Sequence, residues 1–310
     1  MTFVLRRTLA AVLLVVVVSS AALLLARLAP GDHLSSFDLD PAVAAAERAR
    51  LGLDLPLHQQ YLAWVRRLAS FDLGESTKYP GRSVSALIAE RAGNSAIIGV
   101  AALALATLLG IPLGIFTGSR STGALARTTR AGAFVLLSIP PVVLSLVLLL
   151  VASRTGWFPV GGLPEGRGLL ETARYLVLPV LALALPIAAG LERLQSRSMA
   201  DALADPSILA ARARGLSRAR VVWRHAFRLS LAPVLAVYGV VIGALISGSF
   251  VVEYVMTWPG LGALTYDALL FRDANLVAGC AATGAAFLAL GILISDIALA
   301  AADPRLEGPS

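Results

Sequence analysis

The sequence contains few residues that could support chemistry of its own. Of its 310 residues only 15% are charged and 57% are hydrophobic, whereas soluble proteins carry roughly 25% charged residues. It has one cysteine, Cys280, which excludes a disulfide framework and a cysteine metal cluster. Because Cys280 lies in an apolar run, we expect it to be a small packing residue. The composition is that of a polytopic membrane protein.

Lysine is almost absent, and this excludes ATP hydrolysis by the chain itself. A phosphate-binding loop needs a lysine between glycine and Ser or Thr, but the only lysine, Lys78, follows Thr77 in a polar segment. Ser247 and Ser249 are candidate nucleophiles in an apolar run, yet no histidine lies within reach as a base. The histidines are His33, His58 and His225. We therefore expect no catalytic, cofactor-binding or metal-binding residue.

Six apolar runs are long enough to cross about 30 Å of hydrocarbon, which takes roughly 20 residues each. They cover residues 9–28, 95–118, 131–152, 175–191, 229–252 and 276–298. The first run resembles a secretory signal, but its apolar core exceeds the roughly 7–15 residues of a signal and no small-x-small cleavage site follows. We expect it to be retained. The predicted fold class is an all-α polytopic membrane protein with about six transmembrane helices.

Ionisable residues are missing from the interior of these runs, and only Asp296 lies near the end of the last one. A transporter driven by protons or sodium usually needs an ionisable residue within the membrane. An ion-coupled secondary transporter is therefore disfavoured. A passive channel stays open as an alternative, although it leaves the basic loop described below unexplained.

The positions of the arginines predict the orientation, because moving arginine across the bilayer is unfavourable. With the N-terminus inside, fourteen arginines of the shorter loops are cytoplasmic and four are external. We expect both termini in the cytoplasm, the first helix within 1–28, an external segment at 29–94, a five-helix core at 95–300 and a cytoplasmic tail at 301–310. This orientation also accounts for the net charge of +7, so nucleic acid is not an expected partner.

The external segment predicted at 29–94 has local structure of its own. A short helix is expected at 41–52 and an amphipathic helix at 57–68. Three tryptophans fall outside the membrane or at its outer boundary, where amphipathic aromatic side chains anchor proteins in the interface. We expect that anchoring role for Trp64, Trp157 and Trp258.

Small residues and prolines in the runs indicate how the helices pack. Gly110, Gly114 and Gly118 repeat every four residues, and Gly239 and Gly243 have the same spacing. Glycines at this spacing line one helix face and let a neighbouring backbone approach closely. Prolines within the runs are expected to bend helices. They are Pro112, Pro140, Pro141, Pro179 and Pro186.

The loop at 192–228, between the fourth and fifth runs, is the most informative segment. It carries eight arginines, with Gly215 near its middle. Its Arg/Ala/Leu pattern is typical of short amphipathic helices that dock on a partner. Gly215 permits a sharp turn between two such helices, because glycine adopts backbone conformations that are costly for other residues. The pattern predicts a membrane subunit that a partner operates from the cytoplasm.

Several motifs, in the same order, resemble binding-protein-dependent ABC transporter permeases of the oligopeptide/dipeptide/nickel group. The stretch at 205–217, with Arg224-His225-Ala226-Phe227-Arg228 and Pro233 after it, resembles their EAA loop. One departure is Leu209, which stands where the loop's name expects glutamate. The large outer segment is similar to that of a B-type permease. The other matching motifs lie at 28–32, 138–141, 156–162, 258–262, 271–273 and 303–305.

The resemblance implies partners and roles for this chain in the bacterial cytoplasmic membrane. It implies a second homologous permease subunit, one or two ABC ATPase subunits that bind ATP and magnesium, and an external substrate-binding protein. It also implies import of di- or oligopeptides, with nickel, glutathione or another small solute as alternatives. The implied ATPase-coupling residues are Asp205, Leu209, Ala211, Arg212, Arg214, Gly215, Leu216 and Arg218. The candidate binding-protein contacts are Trp157, Gly161, Trp258 and Gly260.

Within the coupling loop we expect the charged and the apolar side chains to make different contacts with the ATPase. Arg212, Arg214 and Arg218 are expected to pair with acids of the ATPase. Leu209 and Leu216 are expected to be buried against it. Residues that line a translocation path are not identified, because the helix faces toward lipid and toward the path are both apolar.

Overall fold

A computed structural model describes residues 2–29, 40–70, 72–120, 123–163 and 168–302. The motif at 303–305, part of the motif at 28–32, and His33 lie outside the described residues. Within them the chain is helical and forms no β-strand; an isolated antiparallel bridge pairs Glu75 with Ser83. The helices are α1 (Thr2–Leu28), α2 (Pro41–Arg50), α3 (Leu57–Ala69), α4 (Val84–Ser119), α5 (Ala124–Leu137), α6 (Pro141–Thr155), α7 (Leu169–Leu203), α8 (Pro206–Ala213), α9 (Arg218–Arg220), a π-helix (Val221–Ala226), α10 (Phe227–Ala236), α11 (Tyr238–Val255), α12 (Leu261–Leu270) and α13 (Ala274–Ala302).

The predicted fold class is confirmed. Five helices among the described residues are long and apolar enough to cross a membrane, and the bent pair α5–α6 makes six if it forms one span. The five are α1, α4, α7, α11 and α13. The short helices predicted at 41–52 and 57–68 correspond to α2 and α3.

The third predicted run, at 131–152, is wrong as a single helix. It is divided into α5 and α6, which are bent by 104° at the break. Pro140 and Pro141 explain the break, because proline has no N–H to donate to the preceding turn and restricts the residue before it. Pro141 instead begins α6 at a position where a missing N–H has no cost.

Two other predicted boundaries also change. The fourth run was placed at 175–191, but α7 continues as helix to Leu203 and contains Pro179 and Pro186 without a break. The fifth run, at 229–252, is divided between α10 and α11. The Val237 N–H bonds back to the Val234 carbonyl oxygen at 3.3 Å, and this tight turn ends α10. A continuous apolar pattern gives no signal of such a break.

The chain forms two compact units, and the first contains Met1–Ala96 and Pro259–Ala289. In this unit Trp64 of α3 is buried in a cluster with Leu23, Ala274 and Ala278. The Tyr61 hydroxyl lies 3.1 Å from the Ser20 hydroxyl and links α3 to α1. The predicted role of Trp64 as a membrane-interface anchor is therefore wrong, because its side chain packs inside the protein. Cys280 is buried in a second apolar cluster of the unit, as expected of a packing residue.

A buried carboxylate, Asp273, organises the loop at 72–83 of the first unit. Its Oδ2 accepts hydrogen bonds from the Ser76 hydroxyl at 2.6 Å and from two backbone N–H groups, those of Thr77 and Lys78. Its Oδ1 accepts from the Leu276 N–H at 3.0 Å, at the start of α13. Several hydrogen bonds compensate the cost of burying the charge. The sequence motif at 271–273 thus has a structural role here.

The second unit contains Ile97–Trp258 and Leu290–Ser310. In it the glycine face of α4 lies against α7. A Cβ at Gly110 would be 2.7 Å from the Ala188 carbonyl oxygen, and one at Gly114 would be 2.6 Å from the Gln195 Cβ. The third glycine of the repeat, Gly118, is equally close to α7. The predicted close helix contact is confirmed at this repeat. Gly239, from the other repeat, makes only an ordinary contact, with Ile292.

Candidate functional site

The predicted coupling loop is folded into helices along most of its length. After α7 ends at Leu203, Asp205 is the N-cap of α8 and accepts hydrogen bonds from the Ser207 N–H at 2.8 Å and the Ser207 hydroxyl at 2.5 Å. The hydrogen bond from the Ser207 side chain is the main cause that lowers the pKa of Asp205. The carboxylate is therefore ionised at neutral pH, and its charge is favourable beside the positive end of the α8 dipole.

The inner face of α8 is fixed to its own chain. Ile208 and Ala211, three residues apart and therefore on one helix face, are both buried. They lie on a helix that packs against the π-helix and the end of α7. Ala211 is thus a packing residue that allows close contact and is not exposed to a partner.

A sharp turn follows α8 at Gly215. Its φ of +80° lies in the left-handed region, which favours glycine, and its N–H bonds to the Arg212 carbonyl oxygen at 2.9 Å. Ser217 is the N-cap of α9, and its backbone carbonyl oxygen accepts a hydrogen bond from the Val221 N–H at 3.0 Å. The structure therefore has the two short helices and the glycine turn expected from the sequence. We call the segment 205–218 the elbow.

The outer face of the elbow is exposed. Leu209 is 49% exposed, and Arg212 and Arg214 are both exposed, whereas Leu216 is half-buried. An aliphatic side chain beside two guanidinium groups is uncovered on a segment whose other face is buried. This face has the composition of a surface that a partner with apolar and acidic groups can cover.

The elbow is tied to the end of α4 through Arg218. An Arg218 Nη2 donates to the Ser119 carbonyl oxygen at 2.8 Å. Arg130 of α5 donates in the same way to the carbonyl oxygens of Thr117, at 2.7 Å, and Arg120, at 3.0 Å. The last carbonyls of a helix have no partner within it, and basic side chains stabilise them. Arg218 is exposed despite this contact, and a guanidinium has further donors, so it stays a predicted ATPase contact together with Arg212 and Arg214.

Buried polar side chains link α7 to its neighbours near the elbow. The Thr117 hydroxyl of α4 donates to Glu192 Oε1 at 2.5 Å, and Gln195 Nε2 donates to the Ser230 hydroxyl of α10 at 2.8 Å. Hydrogen bonds between helices in a membrane hold the helices in register. Sequence reasoning missed this network, whose only signal was a carboxylate directly after an apolar run.

Two carboxylates lie just beyond the predicted ends of their runs but still within helices. Glu192 lies within α7 and Glu253 within α11, and both are buried. Each follows the predicted end of its run by one residue, and the helix continues past it. Glu192 serves as a hydrogen-bond acceptor between helices, which compensates its burial.

Two segments of the second unit that are predicted to be external pack against each other. The Gly162 N–H donates to the Met256 carbonyl oxygen at 3.1 Å, and a Cβ at Gly161 would be 2.5 Å from the Thr257 hydroxyl oxygen. Trp258 is only 1% exposed, in an apolar cluster that includes Leu178. The motif at 156–162 and the segment 256–258, distant in sequence, therefore pack into one cap.

Two of the candidate binding-protein contacts are inaccessible in this structure. The side chain of Trp258 is in the core, so its expected roles as an anchor and as a contact are corrected to a packing role. Gly260 is also buried and precedes α12 as its N-cap. Trp157, by contrast, is 70% exposed, and Gly161 is half-buried. These last two stay candidates.

Comparison with known protein families identifies the family of this chain. Residues 110–308 match the family described as "Binding-protein-dependent transport system inner membrane component". Residues 1–80 match the N-terminal membrane-component family of the same transport systems. The chain belongs to this family. It is therefore a multi-pass permease component of the inner membrane.

Named relatives match the permease over nearly its full length. It is 33% identical to the oligopeptide transport system permease protein AppB of Bacillus subtilis, covering 98% of this chain and 99% of that protein. It is 32% identical to the oligopeptide transport system permease proteins OppB of Haemophilus influenzae and of Escherichia coli, each covering 99% of both chains. Members of this family are non-catalytic membrane subunits that work with ATPases and substrate-binding proteins.

Proposed function

We propose that this permease forms part of the path through which an ABC importer moves di- or oligopeptides across the cytoplasmic membrane. The substrate class is supported by the relatives, which are oligopeptide permeases over their whole length. Nickel, glutathione or another small solute would use the same architecture. Selectivity among these solutes rests largely on the separate binding protein.

The exposed elbow is the observation that supports the coupling role. Its inner face is fixed by Ile208 and Ala211, and its outer face presents Leu209, Arg212 and Arg214. We assign this outer face to a groove of an ATPase subunit, where Leu209 is buried and the arginines meet acidic side chains. The position that other EAA loops give to glutamate thus contributes an apolar contact in this chain.

Motion of the ATPase reaches the membrane helices through the contacts of the elbow. A displacement of α8 acts on α7 by direct packing and on α4 through the Arg218–Ser119 hydrogen bond. The Glu192–Thr117 bond keeps α4 and α7 together, so both helices move as one. ATP binds the closed and open states of the ATPase with different affinity, and this difference biases the permease toward one orientation.

The complete transporter contains two permease subunits, two ATPase subunits that hold ATP and magnesium, and an external binding protein. Among the described residues no group of His, Cys, Asp and Glu side chains could hold a metal ion. On the external side Trp157 and Gly161 are the proposed contacts of the binding protein. Because Trp157 is exposed on a loop that the 256–258 segment supports, it can be covered without refolding the cap.

Reconstitution of the complete transporter tests the proposed function. The four membrane and ATPase subunits are placed in vesicles, and uptake of a labelled tripeptide is measured with the binding protein and ATP. We expect uptake that stops when ATP, the ATPase or the binding protein is left out. Uptake of nickel or glutathione in place of peptide would change the assigned solute. Uptake that persists without ATP would overturn the proposal.

Charge reversal on the outer face of the elbow tests the docking surface. The double variant Arg212→Glu/Arg214→Glu should reduce co-purification of the ATPase with the permease by roughly tenfold or more, because truncating charged contacts at an interface costs about 2 kcal/mol or more. The measurement is the ratio of ATPase to permease after affinity purification. Arg127→Glu changes an exposed arginine of α5 that is not part of the elbow; it is the control and should leave the ratio unchanged. An unchanged ratio in the double variant would contradict docking by this face.

A further inference from the structure

A groove of about 500 Å³ opens between α5 and α7 in the second unit. Its apolar wall includes Phe134 and Leu137, and its rim carries three arginines, Arg130, Arg193 and Arg197. Its volume is within the range of small-molecule sites. The elbow does not contribute any of the residues that line it, so the groove is separate from the proposed docking surface.

The arginines of the rim give the groove a positive charge that the chain does not neutralise. Arg193 and Arg197 are one helical turn apart, so they share a face of α7, and both are exposed. Neither takes part in an ion pair between described residues. Glu192 also lines the groove but is engaged by the Thr117 hydroxyl. Three positive charges therefore face one negative charge.

Arg130 supplies a second, independent indication of an anionic ligand. Its Nη2 is held by the carbonyl oxygens at the end of α4, which fixes the guanidinium beside the groove. Its Nε is buried and has no hydrogen-bond partner among the described residues. A buried donor without a partner is costly, and an acceptor such as a phosphate oxygen would satisfy it.

The apolar wall of the groove indicates that the anion carries an apolar group. Phe134 is 63% exposed on α5, one helical turn after Arg130 on the same helix face, and it lines the groove. The arginines follow the apolar part of α7, at its predicted cytoplasmic end, where lipid phosphates of the inner leaflet lie. Basic pockets between helices at that level bind anionic lipid headgroups. A free phosphate would use the arginines and leave the apolar wall uncovered.

We propose that the α5–α7 groove binds an anionic phospholipid of the inner leaflet. The lipid phosphate lies between Arg193 and Arg197 and accepts from Arg130, and an acyl chain covers Phe134 and Leu137. The bound lipid holds α5 against α7 beside the Glu192–Thr117 bond. This site is independent of the transported solute.

Photolabelling of the complete transporter tests the site. The complex is placed in nanodiscs of phosphatidylcholine that contain a photoactivatable phosphatidylglycerol or, separately, the same reagent with a phosphatidylcholine headgroup. We expect the anionic reagent to label α5 and α7 within 130–137 and 189–200 at least tenfold more than the zwitterionic one. Millimolar inorganic phosphate should not reduce the labelling.

Substitution of the rim arginines gives the matched comparison. One basic residue near an anionic lipid surface changes affinity roughly fivefold, so Arg193→Gln/Arg197→Gln should weaken labelling roughly 30-fold. Arg224→Gln/Arg228→Gln has the same spacing and exposure outside the groove and should leave labelling unchanged. Because all four side chains are exposed, the folded complex is expected in both variants.

Three results would overturn the lipid assignment. Equal labelling by both headgroups would show that the groove does not recognise charge. Competition by inorganic phosphate would identify a soluble anion as the ligand. Absence of lipid labelling, together with cross-linking of a Phe134→Cys variant to the second permease subunit, would identify the groove as a subunit interface.

Discussion

Replacing Gly114 by leucine should abolish the close contact between α4 and α7 and lower both the yield and the thermal stability of the folded subunit. A Cβ at this position would be 2.6 Å from the Gln195 Cβ and 2.7 Å from the Glu192 carbonyl oxygen. The backbone oxygen cannot rotate away, so the two helices have to separate. Overpacking of a core costs about 1–3 kcal/mol, and more where backbone must move. Separation also lengthens the Glu192–Thr117 hydrogen bond.

The result is measured as the yield of monodisperse permease in detergent and the midpoint of its thermal unfolding. For a loss of about 3 kcal/mol we expect a midpoint lower by roughly 10 °C. The matched control is Gly99→Leu in the same helix, where no heavy atom lies within 4 Å of the added Cβ. The control should behave as the unmodified chain. Equal midpoints for the two variants would mean that the glycine face does not determine how α4 packs.

Replacing Gly215 by valine should abolish transport while the permease is still inserted and folded. The φ of +80° at this turn is strained for any residue with a Cβ and most for a β-branched one. Nothing lies within 4 Å of the added Cβ, so the strain changes the backbone conformation of the elbow and not the packing of the core. We expect at least a tenfold loss of ATP-dependent uptake, because the direction of α8 relative to α9 changes.

Two further variants make this result specific. Gly215→Asn should keep much of the uptake, because asparagine adopts the left-handed conformation more readily than other residues with a Cβ. Gly81→Val introduces the same strain, at a φ of +77° with nothing within 4 Å, but in the first unit and not in the elbow. It should leave the coupling intact. Full uptake by Gly215→Val would contradict the role of the elbow.

The sequence predicted the features that depend on composition and spacing. Apolar length located the membrane regions, although two of the six runs are divided between helices, and the repeat at Gly110, Gly114 and Gly118 located the contact face of α4. The turn at Gly215 followed from the conformational freedom of glycine and the helical pattern on each side. These features are local, or they repeat along one helix, so a single stretch of sequence contains them.

Long-range contacts were not predictable in the same way. Trp64 and Trp258 are amphipathic aromatics at a boundary, and only the fold shows that other segments cover both of them. Arg218 and Ser119 are 99 positions apart, and no local pattern pairs them. The helices α7 and α11 continue beyond the predicted ends of their runs, because Glu192 and Glu253 interrupt the apolar pattern and yet are buried within a helix.

The Arg218–Ser119 contact has an evolutionary consequence, because only one of its two atoms belongs to a side chain. The acceptor is a main-chain oxygen, which every amino acid supplies. Substitutions at position 119 therefore preserve this hydrogen bond as long as the helix ends at the same residue, whereas every substitution at position 218 alters it. Homologous permeases should consequently vary at position 119 and keep arginine at position 218.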